Sequence, residues 1–224
     1  MINQIKQEYV SARYMFYDGI QDRRSAHLAD KEVLQIEIAM DVNSFADFNI
    51  RTAFKTLYSI LDRIAFFMNE YFELGVDVNK IWFRHIWKAS ESKLIKLCEN
   101  NHMLNAMYWL SKDIYDTNYK RTTKPTSKEF DILRNRMEHR YAVTVLSDED
   151  EETGGLYHKN EHIYPISTVD LYNKTLELMK LVREAILYLV FAIHIEEQQK
   201  KESVHTNGKA IQPLKTYVIP DICK

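Results

Sequence analysis

One segment limits the possible folds more than any other. Between Ser44 and Leu74, the residues Phe54, Leu57, Tyr58, Leu61, Ile64, Met68, Tyr71 and Phe72 recur at steps of three and four, with Gly75 just beyond them. That period is one face of an α-helix, and a glycine past the last turn suits a helix C-terminus. A helix of this length must bury its apolar face against other helices. The chain has only 5 glycines and 4 prolines in 224 residues, which favours a few long helices over many short strands.

The rest of the chain fits that frame. Residues 3–18 read as a first, aromatic-rich helix with Tyr9, Tyr14, Phe16 and Tyr17, followed by a connector, DRRSAHLADKE. VLQIEIAM (Val33 to Met40) alternates like a strand at first, yet its surroundings favour a helical turn. VNKIWFRHIW reads as irregular, anchored by Trp82, Phe83 and Trp87, and Asn101 to Asp116 as a further helix. After the turn KRTTKPTSKE, a helix from Ser127 to Val145 is expected, with Thr126 or Ser127 as cap and Glu129 at capping-box distance from Thr126. SDEDEETGG is an acidic loop. Ser167 or Thr168 then caps a second long helix reaching Gln199, with a stripe of Tyr172, Leu176, Met179, Val182, Ile186, Leu189 and Ile193. No internal repeat appears. The expected architecture is an all-α bundle of four to five main helices. Its parts are an N-terminal helical extension (1–40), a helical domain (41–199) and a polar, loosely docked tail (200–224).

Composition narrows the function. The formal net charge is −2, whereas a dedicated duplex-DNA binder is strongly basic, so any nucleic-acid contact must come from a local patch. The two cysteines, Cys98 and Cys223, lie far apart, and the N-terminus has no apolar signal region. Both features point to a reducing cytoplasm. The longest apolar run, Ala185 to Ile193, is far short of the roughly 20 residues that span a bilayer, so no membrane partner is expected.

The stretch LRNRMEHR, Leu133 to Arg140, carries the chemistry. At about 100° per residue, Phe130, Leu133, Met137 and Tyr141 form the apolar face of its helix. Asn135 and His139 lie roughly 40° apart and point away from that face, while Arg134 flanks the stripe about 140° from His139. Flanks so far apart do not easily meet within one chain. Two copies of the helix facing each other across a two-fold axis would bring each arginine to a cleft shared by both histidines.

The residue types suit a phosphodiester. Histidine transfers protons near neutral pH. Arginine's planar fork matches phosphate oxygens and charge developing in a transition state. Asparagine can orient an imidazole or a substrate hydroxyl. Such a set can cleave RNA through its own 2′-OH, with no metal or other cofactor. Arg136 and Arg140, together with Lys120, Arg121 and Lys124 in the preceding turn, form a local basic patch for an RNA backbone. The plain alternative is a solvated helix face in which Arg134 and Glu138 make an ordinary i,i+4 pair.

Arg134-Asn135-x-x-x-His139 resembles the arginine–polar–spacer–histidine motif of the HEPN superfamily. FDILRNRMEHRYAV is similar to the motif helix of a HEPN subfamily often joined to tetratricopeptide repeats. AFKTLYSILDRIAFFMNEYF, NAMYWLSKDI and LMKLVREAILYLVFAIH extend the likeness over roughly residues 40–198. The resemblance implies a bundle with a long antiparallel helix pair, and a homodimer whose motif helices line the cleft between protomers. It also implies a metal-independent endoribonuclease acting as a toxin or in antiviral defence, restrained by an antitoxin or a sensor protein. Arg134 and His139 would be its catalytic pair and Asn135 the supporting polar residue. Some relatives only bind RNA or scaffold other proteins. No repeat array stands in these residues, and the acidic Asp148 to Glu152 would repel RNA beside the cleft.

Other residues carry less. His158 and His162 have i,i+4 spacing around Glu161, but between Gly155 and Pro165 a helical metal site is not expected. His85 reads as an aromatic neighbour of Trp82, Phe83 and Trp87. His194 closes the apolar run, where a helix dipole would favour it. Arg51, Asp62 and Arg63 read as surface ion-pair formers on the long helix.

Overall fold

The computed structural model describes residues 1–21, 44–115, 127–139, 141–145 and 163–207. Among them are seven α-helices: α1 (Ile2–Gln21), α2 (Phe45–Tyr71), α3 (Phe83–Ala89), α4 (Glu91–Asn100), α5 (His102–Tyr115), α6 (Ser127–His139) and α7 (Thr168–Asn207). A 3₁₀ turn, Val78–Lys80, precedes α3, and two short strands, β1 (Tyr141–Val145) and β2 (Ile163–Ser167), lie between α6 and α7.

The long segment forms α2 and is the centre of the bundle. Ser44 caps it, its Oγ accepting from Asp47 N at 3.1 Å and donating to Asp47 Oδ2 at 2.8 Å, which satisfies an otherwise orphaned N–H of the first turn. Ile50, Phe54, Leu57, Leu61, Ile64 and Met68 are fully enclosed, and Ala53, Ile60 and Ala65 widen the buried arc. A helix covered on this much of its circumference needs neighbours on more than one side. α1 and α7 supply two of them.

Contacts at both ends fix the helix directions. Arg63 pairs with Glu8 at 2.7 Å, and Gly19 lies against Ala46 and Ile50, so α1 runs antiparallel to α2. A Cβ on Gly19 would sit 2.7 Å from both Ala46 O and Ile50 Cγ1, so glycine permits this close crossing. Phe16 stacks on Tyr172 at 5.1 Å near the start of α7, while Tyr71 donates to Glu197 at 2.5 Å near its far end. Thus α7 runs parallel to α2, and α1 with α2 is the long antiparallel pair. Asn101, fully buried, ties α5 to α7 by donating to Ala192 O at 2.8 Å, and accepts from Leu104 N at 3.2 Å as it starts α5.

Several elements depart from the sequence reading. The motif helix ends at His139, and Tyr141–Val145 is a strand pairing in parallel with Ile163–Ser167. Tyr141 pairs with Ile163 rather than extending the helical stripe. The β-branched Val143, Thr144 and Val145 favour that extended form. VNKIWFRHIW is largely helical, and α4 follows it directly. Phe83 and Trp87 anchor it as expected, but Trp82 is 44% exposed. α7 runs on to Asn207, so His194 sits on an exposed inner turn and not at a helix end. Of the two candidate caps of α7, Ser167 acts, its Oγ accepting from Asp170 N at 3.1 Å. VLQIEIAM, Thr126, the acidic stretch Asp148–Glu152, His158, His162 and Cys223 lie outside the described residues. No helix of the described residues is long and apolar enough to cross a membrane.

Candidate functional site

α6 is seated by its apolar face. Phe130, Leu133 and Met137 are buried, and Phe130 meets Phe54 of α2 edge-on at 6.0 Å. Glu129 pairs with Lys174 of α7. With that face fixed, Asp131, Arg134 and Asn135, spaced i, i+3 and i+4, are carried together to one edge of the helix. There they line a groove of about 470 Å³. Opposite them stand Tyr58, Asp62 and Phe66 of α2, the segment holding Ile81, Trp82 and Arg84, and Tyr115 at the end of α5.

The groove is a polar network on an aromatic floor. Tyr58 donates to Asp131 Oδ1, and the Arg134 guanidinium lies over the Tyr58 ring, 5.3 Å from its centroid. Arg84 lies 5.9 Å from the Tyr115 ring centroid. Cation–π contact on both arginines leaves their N–H edges to other partners. Arg134 also reaches Glu138 at 3.5 Å, the expected i,i+4 pair. Both charge signs share the groove, with Asp62 and Asp131 lining it beside Arg84 and Arg134.

Burial sets the protonation. It pushes Tyr58 far above the usual phenol range, with Tyr115, the Asp131 hydrogen bond and the charges of Asp131 and Asp62 adding to it. Tyr115 is raised for the same first reason, with Asp62 and Asp131 adding and Tyr58 and Arg84 partly opposing. Both phenols therefore stay neutral donors at physiological pH. Asp62 is also raised, chiefly by burial and further by Asp131, against relief from the Phe83 backbone N–H at 3.0 Å and from Arg134.

Of the residues singled out in the sequence, Arg134 and Asn135 line the groove, Arg134 half-exposed and Asn135 exposed. Arg136 is half-buried on the same helix. His139 is the last residue of α6, one turn beyond Asn135 along the same face by backbone position. Its side chain lies outside the described residues, as do Arg140, Lys120, Arg121 and Lys124. His85 packs against Trp82 at 5.3 Å, as an aromatic neighbour should.

Asp62 corrects the sequence reading. Arg63 does make a surface ion pair, with Glu8, but Asp62 turns into the groove. Tyr58, Trp82, Arg84, Tyr115 and Asp131 were not anticipated as site residues. One signal was present: Tyr58 with Asp62, and Asp131 with Asn135, are i,i+4 polar pairs beside apolar stripes. Their meeting depends on how α2 and α6 dock.

Elsewhere, a smaller pocket of about 250 Å³ lies between α3, α4 and α5, lined by Trp87, Leu94, Ile95, Cys98 and Tyr108 among others. Burial pushes the Cys98 thiol up to about 11, which keeps it protonated and a poor nucleophile at neutral pH. Among the described residues no group of three His, Cys, Asp or Glu side chains could hold a metal ion.

Residues 1–196 match the family described as LA2681-like HEPN. No curated protein and no solved structure matches the chain.

Proposed function

Because the chain belongs to the LA2681-like HEPN family, we propose that it is a metal-independent endoribonuclease. One observation carries the reading: Arg134 and Asn135 open together onto a groove holding two guanidiniums and two neutral phenols, with His139 one helical turn beyond. His139 takes the proton of a ribose 2′-OH, and O2′ attacks the adjacent phosphorus. Arg134 faces the charge gathering on the non-bridging oxygens, held in orientation by the Tyr58 ring. The P–O5′ bond breaks, and the departing oxygen receives a proton from a second imidazole acting as general acid. The products are a 2′,3′-cyclic phosphate and a free 5′-hydroxyl.

The second imidazole is assigned to the partner copy of a homodimer joined through α6. Asn135 orients His139 or the attacking hydroxyl. Arg136, Arg140, Lys120, Arg121 and Lys124 extend the contact along the RNA backbone. A cytoplasmic toxin or antiviral effector, held in check by an antitoxin or sensor protein, fits an activity this damaging to its host.

Purified protein in EDTA, incubated with several labelled RNAs, tests the reading. Wild type yields cyclic-phosphate ends, and His139→Ala does not. RNA binding by wild type without cleavage would instead establish a non-catalytic RNA-binding HEPN domain.

A further inference from the structure

The groove contains more than phosphate chemistry requires. Two carboxylates, Asp62 and Asp131, line it beside the arginines. A phosphate is repelled by them, so this half of the groove suits a neutral group rich in donors. Each carboxylate is steadied through one oxygen: Asp62 Oδ1 accepts from Phe83 N, and Asp131 Oδ1 accepts from Tyr58. Their remaining lone pairs form an acceptor-only edge. Trp82, 44% exposed with one side against His85, provides an indole surface on the same rim.

Single-stranded RNA is read by stacking an unpaired base on an aromatic side chain and hydrogen-bonding its Watson–Crick edge. Among the four bases only guanine carries two adjacent donors on that edge, N1–H and the N2 amino group. Adenine and cytosine carry one amino group beside a ring acceptor, and uracil one N–H between two carbonyls. We propose that Asp62, Asp131 and Trp82 form a guanine-reading subsite next to the motif helix, so that the chain acts on RNA beside a guanosine. The inference rests on the RNA reading above and names the base which that site selects. Burial already disfavours the charge on Asp62, and two incoming N–H donors would relieve it. Arg84, on the Tyr115 ring, is left for the flanking phosphate.

The test uses uridine oligoribonucleotides with one central G, A, C or inosine. Cleavage is mapped with wild type, and affinity is measured by fluorescence anisotropy with His139→Ala. Guanosine is expected to outbind adenosine and cytidine by about ten- to a hundredfold, the range of a good two-bond base contact. Inosine, lacking the N2 amino group, falls between. Asp62→Asn and Asp131→Asn each reduce the preference for G over adenosine and cytidine, and the second variant decides the matter should the first fail to fold. Trp82→Ala weakens all four ligands by roughly ten- to a hundredfold, as expected for lost stacking, while their order persists. Equal cleavage and binding of all four oligonucleotides overturns the subsite and leaves the ribonuclease reading standing. Guanosine-selective binding without cleavage by wild type does the reverse.

Discussion

The groove beside α6 and the pocket between α3, α4 and α5 are cavities of one bundle with opposite chemistry. The pocket is walled mainly by Leu94, Ile95, Cys98 and the rings of Trp87 and Tyr108. The groove is walled by two aspartates, two arginines and the phenols of buried Tyr58 and half-buried Tyr115. An apolar hollow is what remains where short helices meet imperfectly, and it forfeits only packing contacts. Half-buried charges cost desolvation free energy that their hydrogen bonds only partly offset. A chain that keeps such a cluster where its central helix α2 meets its motif helix α6 sacrifices stability there. The groove is therefore the better place to look for function.

The contrast can be broken experimentally. The largest effect is expected from His139→Ala, which should cut RNA cleavage by about 10²–10⁴-fold, the usual worth of positioned proton transfer. Arg134→Ala should lose about 10²–10³-fold, and Arg134→Lys should recover little of it, because an ammonium lacks the flat fork seated on Tyr58. Single-turnover rates under saturating RNA check both. Tyr58→Phe removes the donor from Asp131 and should destabilise the fold by about 1–3 kcal/mol, read by urea denaturation at pH 7.

Asp62→Asn sharpens the comparison through pH. The folded-state pKa of Asp62 lies above its ordinary value of 3.8, so the native chain binds this proton more tightly than the unfolded chain. Stability from this site is fully present below about pH 4 and falls as pH rises through the raised value. The asparagine variant escapes that loss. It should melt higher than wild type at pH 7, with the gap closing toward pH 4. A gap that stays constant with pH would show that Asp62 carries no such penalty. The smallest effect belongs to the other cavity: Ile95→Ala, at a side chain 52% exposed, should stay within about 0.5 kcal/mol and leave cleavage unchanged.

Much of the bundle was legible because its helices are long and periodic. The α2 stripe and the Phe130, Leu133 and Met137 face follow from spacing alone, and each of these residues is buried except the half-buried Tyr71. Short elements were not legible. α4 has a single fully enclosed side chain, Leu94, too little to show a period. The strand after His139 was absorbed into a helix because Tyr141 happened to continue the helical stripe. At the site, Arg134 and Asn135 were found by motif, since they are close in sequence. Asp62 lies far from Asp131 in sequence, on a different helix, and beside Arg63 it looked like one more surface charge.

The sequence by itself determined that the chain is helical, which faces are apolar and where the Arg-Asn-His motif falls, because helical period and motif are local properties read within a few turns. Only the tertiary structure decided that α7 runs alongside α2, that Asp62 turns inward while Arg63 turns out, and that the motif opens onto a groove with two carboxylates. Those outcomes depend on how helices distant in sequence dock, and docking is fixed by the fit of whole buried surfaces, which no local pattern encodes.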